Sequence, residues 1–112
     1  MSSRPHKFHA VRTIDSAGFE HPSKLQAKVT SDYRTLAQIG QIRSVMTEVS
    51  IPLSLRKKDR IRIDLCVVHE ILPDGRFIGE FVDAKGMDLA AGIQKRRRFE
   101  DAYGIPIRVI RK

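Results

Sequence analysis

Residues 60–85, RIRIDLCVVHEILPDGRFIGEFVDAK, decide the fold because they contain two strand patterns joined by a turn pattern. The first half alternates in polarity, and its apolar positions are Ile61, Ile63, Leu65 and Val67. A period of two is typical of a strand with one apolar face. The stretch at 72–76 then supplies the Pro, Asp and Gly of a tight turn, and a second strand follows. The whole stretch therefore predicts a β-hairpin.

The turn determines which residues of the hairpin face each other. With residues 74–75 as its two central positions, Asp64 faces Lys85. By the same register, Cys66 faces Asp83. Facing residues share one side of a sheet, so we expect Asp64, Asp83 and Lys85 to project together, with the two carboxylates as diagonal neighbours.

Upstream of the hairpin, the sequence predicts a helix and a strand. Ser23 follows a proline and is an acceptable N-cap, and Gly40 is a suitable stop. Between them the apolar residues recur at roughly helical spacing: Leu25, Val29, Leu36 and Ile39. Residues 25–29 also alternate as a strand would, which leaves a strand as the alternative. Residues 42–53 predict a strand that ends near Pro52.

Downstream of the hairpin, the pattern predicts a second helix and a closing strand. Residues 87–104 carry apolar side chains at roughly helical intervals, with Asp88 near the start and Gly104 just past the end. The β-branched run at 105–110 then predicts a strand that pairs in parallel, since a helix connects it to the strand before. We therefore expect one α/β domain over residues 1–112 with the order αβββαβ, a mixed sheet flanked by helices, and a frayed polar start at residues 1–7.

The charge balance favours a polyanionic partner. The 112 residues include 21 Lys and Arg against 13 Asp and Glu, with a net charge of +8. Neutralising phosphates and releasing their counterions would drive binding to nucleic acid. The candidate DNA-binding residues are Arg56, Lys57, Lys58, Arg62, Lys95, Arg97 and Arg98. The alternatives are a protected strand entry for the first group and a solvated helix face for the second. Arg96 falls among apolar residues and should lay its stem on the core.

Several classes of protein do not fit the sequence. No apolar stretch approaches the roughly 20 residues of a membrane span, and the N-terminus lacks the apolar region of a signal peptide. We therefore expect a cytoplasmic protein with no membrane partner. The lone Cys66 should be a buried, reduced thiol. Four histidines without a supporting Cys or His pair do not indicate zinc.

The paired carboxylates predict a metal site. Asp64 and Asp83 at the expected separation repel each other unless a cation lies between them. Oxygen ligands suit Mg²⁺, which keeps waters and accepts a phosphate oxygen. Lys85, one pleat further along, can hold the attacking water and offset negative charge in the transition state. The arrangement predicts phosphodiester hydrolysis.

From residue 62 onward the chain resembles the motif region of PD-(D/E)xK nucleases, particularly phage-borne nuclease-like proteins and phage junction-resolving endonucleases. The resemblance rests on Asp64 in a strand, a hairpin, the run Asp-Ala-Lys-Gly at 83–86, a basic helix and a closing strand. Residues 16–28 resemble the turn and first helix of the family, where a third acidic residue is usual and Gln26 stands here. Two further departures are Ile63 in place of the motif proline and the shorter Asp83 in place of glutamate.

The resemblance implies a restriction-endonuclease-like core in which Asp64 and Asp83 hold Mg²⁺ or Mn²⁺, and Asp64, Asp83, Lys85 and Gln26 form the catalytic set. It also implies DNA as the substrate, with branched or junction DNA as one candidate, in a bacterial or phage-infected cell. Cutting two strands needs two active centres, which a homodimer would supply. The alternative is a catalytically weak or inactive nuclease-fold protein that binds DNA or regulates, as Gln26 permits. A plain protein-interaction module is a third hypothesis.

Overall fold

The computed structural model describes residues 13–14, 20–21, 23–85 and 89–111. The elements are β1 (Thr13–Ile14), β2 (Glu20–His21), α1 (Lys24–Gln38), β3 (Ser44–Pro52), β4 (Arg60–Ile71), β5 (Phe77–Lys85), α2 (Ala90–Tyr103) and β6 (Ile107–Arg111). The expected order αβββαβ is confirmed, and the short antiparallel pair β1–β2 precedes it. The expectations for residues 1–7 and for Asp88 lie outside the described residues.

The main sheet is mixed, with the strand order β3-β4-β5-β6. The first two pairings are antiparallel, and β5 pairs with β6 in parallel, with Phe81 beside Ile107. Because α2 connects two parallel neighbours, this half of the molecule is the predicted strand-helix-strand unit. The protein is therefore an α/β domain.

Local signals set the ends of both helices. The Ser23 hydroxyl accepts a hydrogen bond from the Gln26 backbone N–H at 3.1 Å, so Ser23 is the N-cap of α1. Gly40 follows α1 with a φ of +81°, and Gly104 ends α2 with a φ of +68°. The alternative of a strand at residues 25–29 is wrong.

The two helices cover opposite faces of the sheet. Val82 packs in one apolar cluster with Val29 of α1, whereas Phe81 packs in the other with Phe99 of α2. Since Phe81 and Val82 are neighbours on one strand, they point to opposite faces. The rings of Phe81 and Phe99 meet edge to face at 5.4 Å, and Phe99 is 1% exposed. Burial of such a ring stabilises the fold by roughly 2–3 kcal/mol.

The hairpin register differs from the prediction by two residues. Cys66 faces Phe81, not Asp83, and Leu65 faces Val82. The expectation that Asp64 faces Lys85 is therefore wrong: the same register, extended by one residue, brings Asp64 beside Asp83.

Two irregularities cause this shift. The turn contains three residues, 73–75, because the Leu72 N–H binds the Arg76 carbonyl at 2.7 Å and Gly75 takes a φ of +90°. In addition, β4 has a bulge between Val68 and Glu70, where the pairing moves by one more position. Each irregularity moves the register by one residue. Because side chains alternate along a strand, the total shift of two residues leaves each side chain on the side of the sheet that the sequence predicted.

Strand β4 changes face at Asp64. Ile63 packs with the α2 cluster, whereas Leu65 packs with the α1 cluster, although residues two apart in a regular strand share a face. The neighbouring strand is irregular at the same level, where Glu48 has a φ of +52°. The prediction of a single apolar face along β4 is therefore wrong, and the twist brings a polar residue to the point where the two cores meet.

Candidate active site

Asp64 and Asp83 lie where the β4–β5 ladder ends, and each carboxylate binds the backbone of the other strand. Asp83 Oδ1 accepts a hydrogen bond from the Asp64 N–H at 2.9 Å. Asp64 Oδ2 accepts one from the Ala84 N–H at 2.8 Å. These two bonds replace ladder hydrogen bonds and fix both side chains. The two carboxylates are therefore not the diagonal neighbours predicted from the sequence, because each binds the backbone of the opposite strand directly.

Two cations face the outer oxygen of Asp83. Lys85 Nζ lies 3.7 Å from Asp83 Oδ2, as expected for a neighbour two residues along the same strand. Arg96 NH1 of α2 lies 4.0 Å from the same oxygen, and the Arg96 side chain is only 8% exposed. Asp83 is itself 2% exposed. Both cations are close enough to attract the Asp83 carboxylate.

Arg96 is the residue of this site that the sequence interpretation missed. Its stem is buried as expected, but its guanidinium reaches a carboxylate. One feature of the sequence could have identified Arg96. It lies three residues after Ile93 and three before Phe99, on the face of α2 that packs on the sheet. An arginine on a buried helix face requires an anionic partner.

The pKa of Asp64 is raised from its ordinary value of 3.8 to about 6. Burial is the largest cause, and the negative charge of Asp83 adds to it. The Ala84 N–H and Lys85 act in the opposite direction. A carboxyl group with a pKa raised by burial and by a second carboxylate marks a place where a cation is favourable.

The donor set fits a hard divalent cation. Each carboxylate gives one oxygen to a backbone N–H, which leaves Asp64 Oδ1 and Asp83 Oδ2 for a metal. Mg²⁺ is commonly held by one or two carboxylates together with waters and substrate phosphates. The described residues contain no group of three or more His, Cys, Asp or Glu side chains that could hold a metal. At this cluster, the residues that could hold Mg²⁺ or Mn²⁺ are Asp64 and Asp83.

Gln26 is not joined to this cluster by any hydrogen bond of the described residues. It is 3% exposed in the first turn of α1, and its Nε2 has no hydrogen-bond partner in this part of the chain. Helix α1 covers the face toward which Val82 points, whereas Asp83 points to the face of α2. Gln26 is thus a buried, neutral side chain of α1.

Two basic stretches that are distant in sequence meet at one end of the molecule. Arg98 donates to both carboxylate oxygens of Asp59, at 2.9 and 2.7 Å. Lys95 Nζ donates to the Arg60 carbonyl at 3.0 Å. These contacts tie α2 to the loop between β3 and β4 and to the first residue of β4, so residues 53–59 and α2 form one surface, here called the basic surface. Arg98 holds the pKa of Asp59 well below its ordinary value through their hydrogen bonds.

The candidate DNA-binding residues differ in whether their side chains already bind other groups of the protein. The exposed basic side chains of this surface that bind no other described residue are those of Arg56, Lys57, Lys58 and Arg97. Arg98 is paired with Asp59, and Lys95 is bound to a backbone carbonyl. Arg62 is exposed on β4 and lies 3.7 Å from Glu48 Oε1. The free charges are therefore concentrated in the loop and at Arg97.

Two further expectations concern the thiol and the membrane. Cys66 is a free cysteine that is 4% exposed, and burial raises the pKa of its thiol. It is therefore not activated as a nucleophile. Among the described residues, no helix has the length and apolar character needed to cross a membrane.

Comparisons with known proteins leave the site to be interpreted from its own residues. No family model, no curated protein and no solved structure matches this chain.

Proposed function

We propose that this protein is a metal-dependent DNA endonuclease with a restriction-endonuclease-like core of the PD-(D/E)xK type. The observation that carries the proposal is the cluster at the end of the β4–β5 ladder, where Asp64, Asp83 and Lys85 come together. Two carboxylates from neighbouring strands, followed after one residue by a lysine, are the groups that phosphodiester hydrolysis with a divalent cation requires.

Each residue has a chemical task in this proposal. Asp64 and Asp83 would hold the divalent cation through the oxygens not used by the backbone. A bound Mg²⁺ polarises a phosphoryl oxygen and lowers the pKa of a coordinated water. Lys85, whose side chain is 28% exposed, can reach solvent and substrate while staying 3.7 Å from Asp83. It would orient the attacking water and offset the negative charge that develops on the phosphate.

The basic surface supports DNA as the substrate. Arg96 contacts Asp83 from the same helix on which Lys95 and Arg97 face outward. The candidate phosphate-binding side chains therefore lie on an element that also contacts the carboxylates. Contacts to phosphates position a duplex without reading its sequence. Branched or junction DNA is the substrate class that the family resemblance suggests, and a homodimer would supply the second centre needed to cut two strands.

A second candidate function is DNA binding without catalysis. Gln26 favours it, because a neutral and buried amide stands where the family pattern has a third acid. With fewer anionic ligands, a divalent cation is held more weakly. Such a protein would still bind DNA through the basic surface.

The test is incubation of the purified protein with linear, nicked and four-way-junction DNA, each with Mg²⁺, Mn²⁺ or EDTA. We expect cleavage with a metal and none with EDTA. Asp83→Asn should abolish cleavage and leave DNA binding intact or tighter, because it removes a metal ligand and a negative charge facing phosphate. Asp101→Asn is the matched control, since it removes an exposed carboxylate from α2 and should leave cleavage unchanged.

Three outcomes separate the hypotheses. Cleavage by Asp83→Asn at the wild-type rate would remove Asp83 from the active centre. DNA binding without cleavage in any metal would support the non-catalytic alternative. No DNA binding at low salt would favour the protein-interaction module.

A further inference from the structure

Arg96 is an unusual component of the carboxylate cluster because the fold gives it little access to solvent. Its side chain is 8% exposed and its NH1 lies 4.0 Å from Asp83 Oδ2. The arginines on either side of it in the helix behave differently. Arg97 is exposed, and Arg98 binds Asp59 on the basic surface. Of these three arginines of α2, Arg96 is the one that lies beside Asp83.

Two carboxylates and two cations meet in the described part of this cluster. Asp83 has Lys85 on one side and Arg96 on the other, and Asp64 is held against it through the backbone. A divalent cation that enters this cluster is attracted by the carboxylates and repelled by both cations. Of the two cations, Arg96 is the more buried, where charge interactions are screened less.

We propose that Arg96 is a positioning residue that holds the Asp83 carboxylate from the α2 side and keeps the affinity of the Asp64–Asp83 pair for a divalent cation low. This inference rests on the proposed function, because it concerns the same metal site. An arginine is suited to the role because a guanidinium group keeps its positive charge at all accessible pH values. Asp83 accepts a backbone hydrogen bond at Oδ1 and has two cations within 4.0 Å of Oδ2.

A purely structural role for Arg96 predicts the opposite effect on metal binding. If Arg96 only docked α2 on the sheet, its removal would loosen Asp83 and weaken the site. If its charge opposes the metal, an apolar side chain of similar length should tighten metal binding. A unit charge and a double charge a few ångströms apart repel strongly enough, even in a water-like dielectric, to weaken binding by about tenfold or more.

The experiment measures Mn²⁺ binding to the purified protein without DNA, from the electron paramagnetic resonance signal of free Mn²⁺. We expect Arg96→Met to bind Mn²⁺ about tenfold more tightly than the wild type. Arg96→Lys, which keeps the charge, should return the affinity toward the wild-type value. Arg97→Met is the matched control: it removes an exposed arginine from the same helix and should change the affinity little.

Two further variants test the effect of these charges on metal binding if Arg96→Met does not fold. If Arg96→Met does not fold, Arg96→Gln removes the same charge with a polar side chain, and Lys85→Met removes the more exposed of the two cations. Either one should also tighten Mn²⁺ binding. Unchanged or weaker binding in the folded variants would overturn the role of Arg96.

Asp83→Asn distinguishes this failure from a failure of the proposed function. If the wild type binds Mn²⁺ and Asp83→Asn does not, the metal site stands whatever Arg96 does. If Mn²⁺ binds neither protein, or binds both equally, the proposed metal site is wrong and the inference about Arg96 fails with it.

Discussion

Replacement of Asp64 by asparagine should stabilise the protein at neutral pH when no metal is present. Burial and the neighbouring Asp83 raise the pKa of Asp64 from 3.8 to about 6. The folded state therefore holds the Asp64 proton more tightly than the unfolded chain does. Below pH 3.8 both states are protonated and the charge has no cost. Above pH 6 both are ionised, and the folded state carries the full cost of the buried charge.

The pKa values determine the expected magnitude. At 1.36 kcal/mol per pKa unit, the difference between 3.8 and about 6 corresponds to on the order of 3 kcal/mol at pH 7.5. At pH 4 most of the cost has disappeared. Asparagine carries no charge, and its side-chain oxygen can still accept the hydrogen bond from the Ala84 N–H. The stabilisation by Asp64→Asn should therefore grow by about 2 kcal/mol between pH 4 and pH 7.5.

Urea unfolding in EDTA at these two pH values measures the effect. The chain contains no tryptophan, so circular dichroism is the suitable signal. Asp101→Asn is the control for the loss of an exposed carboxylate on α2, and its effect should not grow in this way. An effect of Asp64→Asn that is the same at pH 4 and pH 7.5 would refute the conclusion that the buried charge of Asp64 destabilises the folded state.

Two other predictions follow from the geometry, and a third, for Gln26, follows from the family resemblance. Arg97→Ala should flatten the salt dependence of DNA binding, measured by fluorescence anisotropy, by up to ~0.9 log units per lost phosphate contact. Arg98→Ala should mainly lower the melting temperature, because Arg98 is paired with Asp59. The reverse pattern would show that Arg98, and not Arg97, binds the phosphates. Gln26→Glu should tighten Mg²⁺ binding in calorimetry if α1 contributes to the site, and an unchanged affinity would exclude Gln26 from it. Phe99→Ala should lower the free energy of unfolding by roughly 3–5 kcal/mol, because its ring is 1% exposed between α2 and the sheet; a loss below 1 kcal/mol in urea would contradict that packing.

Most of the element order was predictable because each signal is local. Ser23 caps α1 through a bond to the N–H three residues later, and Gly104 ends α2 in a left-handed conformation. The alternation in β4 and the turn residues at 72–76 likewise act between neighbours in sequence. Such preferences depend on short-range sterics and hydrogen bonds, so they can be recognised without the rest of the chain.

The grouping of Asp64, Asp83 and Lys85 was also predictable, although the register behind it was wrong. The three-residue turn and the bulge between Val68 and Glu70 each moved the pairing by one position. Because side chains alternate with a period of two, the combined shift of two left the same residues on the same side. A single irregularity would have separated the carboxylates.

What the sequence by itself determined is the αβββαβ order, without the short β1–β2 pair, and the grouping of the two carboxylates with their lysine. Only the tertiary structure decided that β4 changes face at Asp64 and that Arg96 lies beside Asp83. It also decided that Arg98 joins α2 to the β3–β4 loop and that Lys95 joins α2 to the start of β4. The physical reason is that these features depend on pairs far apart in the chain: Arg98 and Asp59 are separated by 39 residues. Their partners are selected by packing and charge after the sheet and helices have come together, and no local pattern encodes that choice.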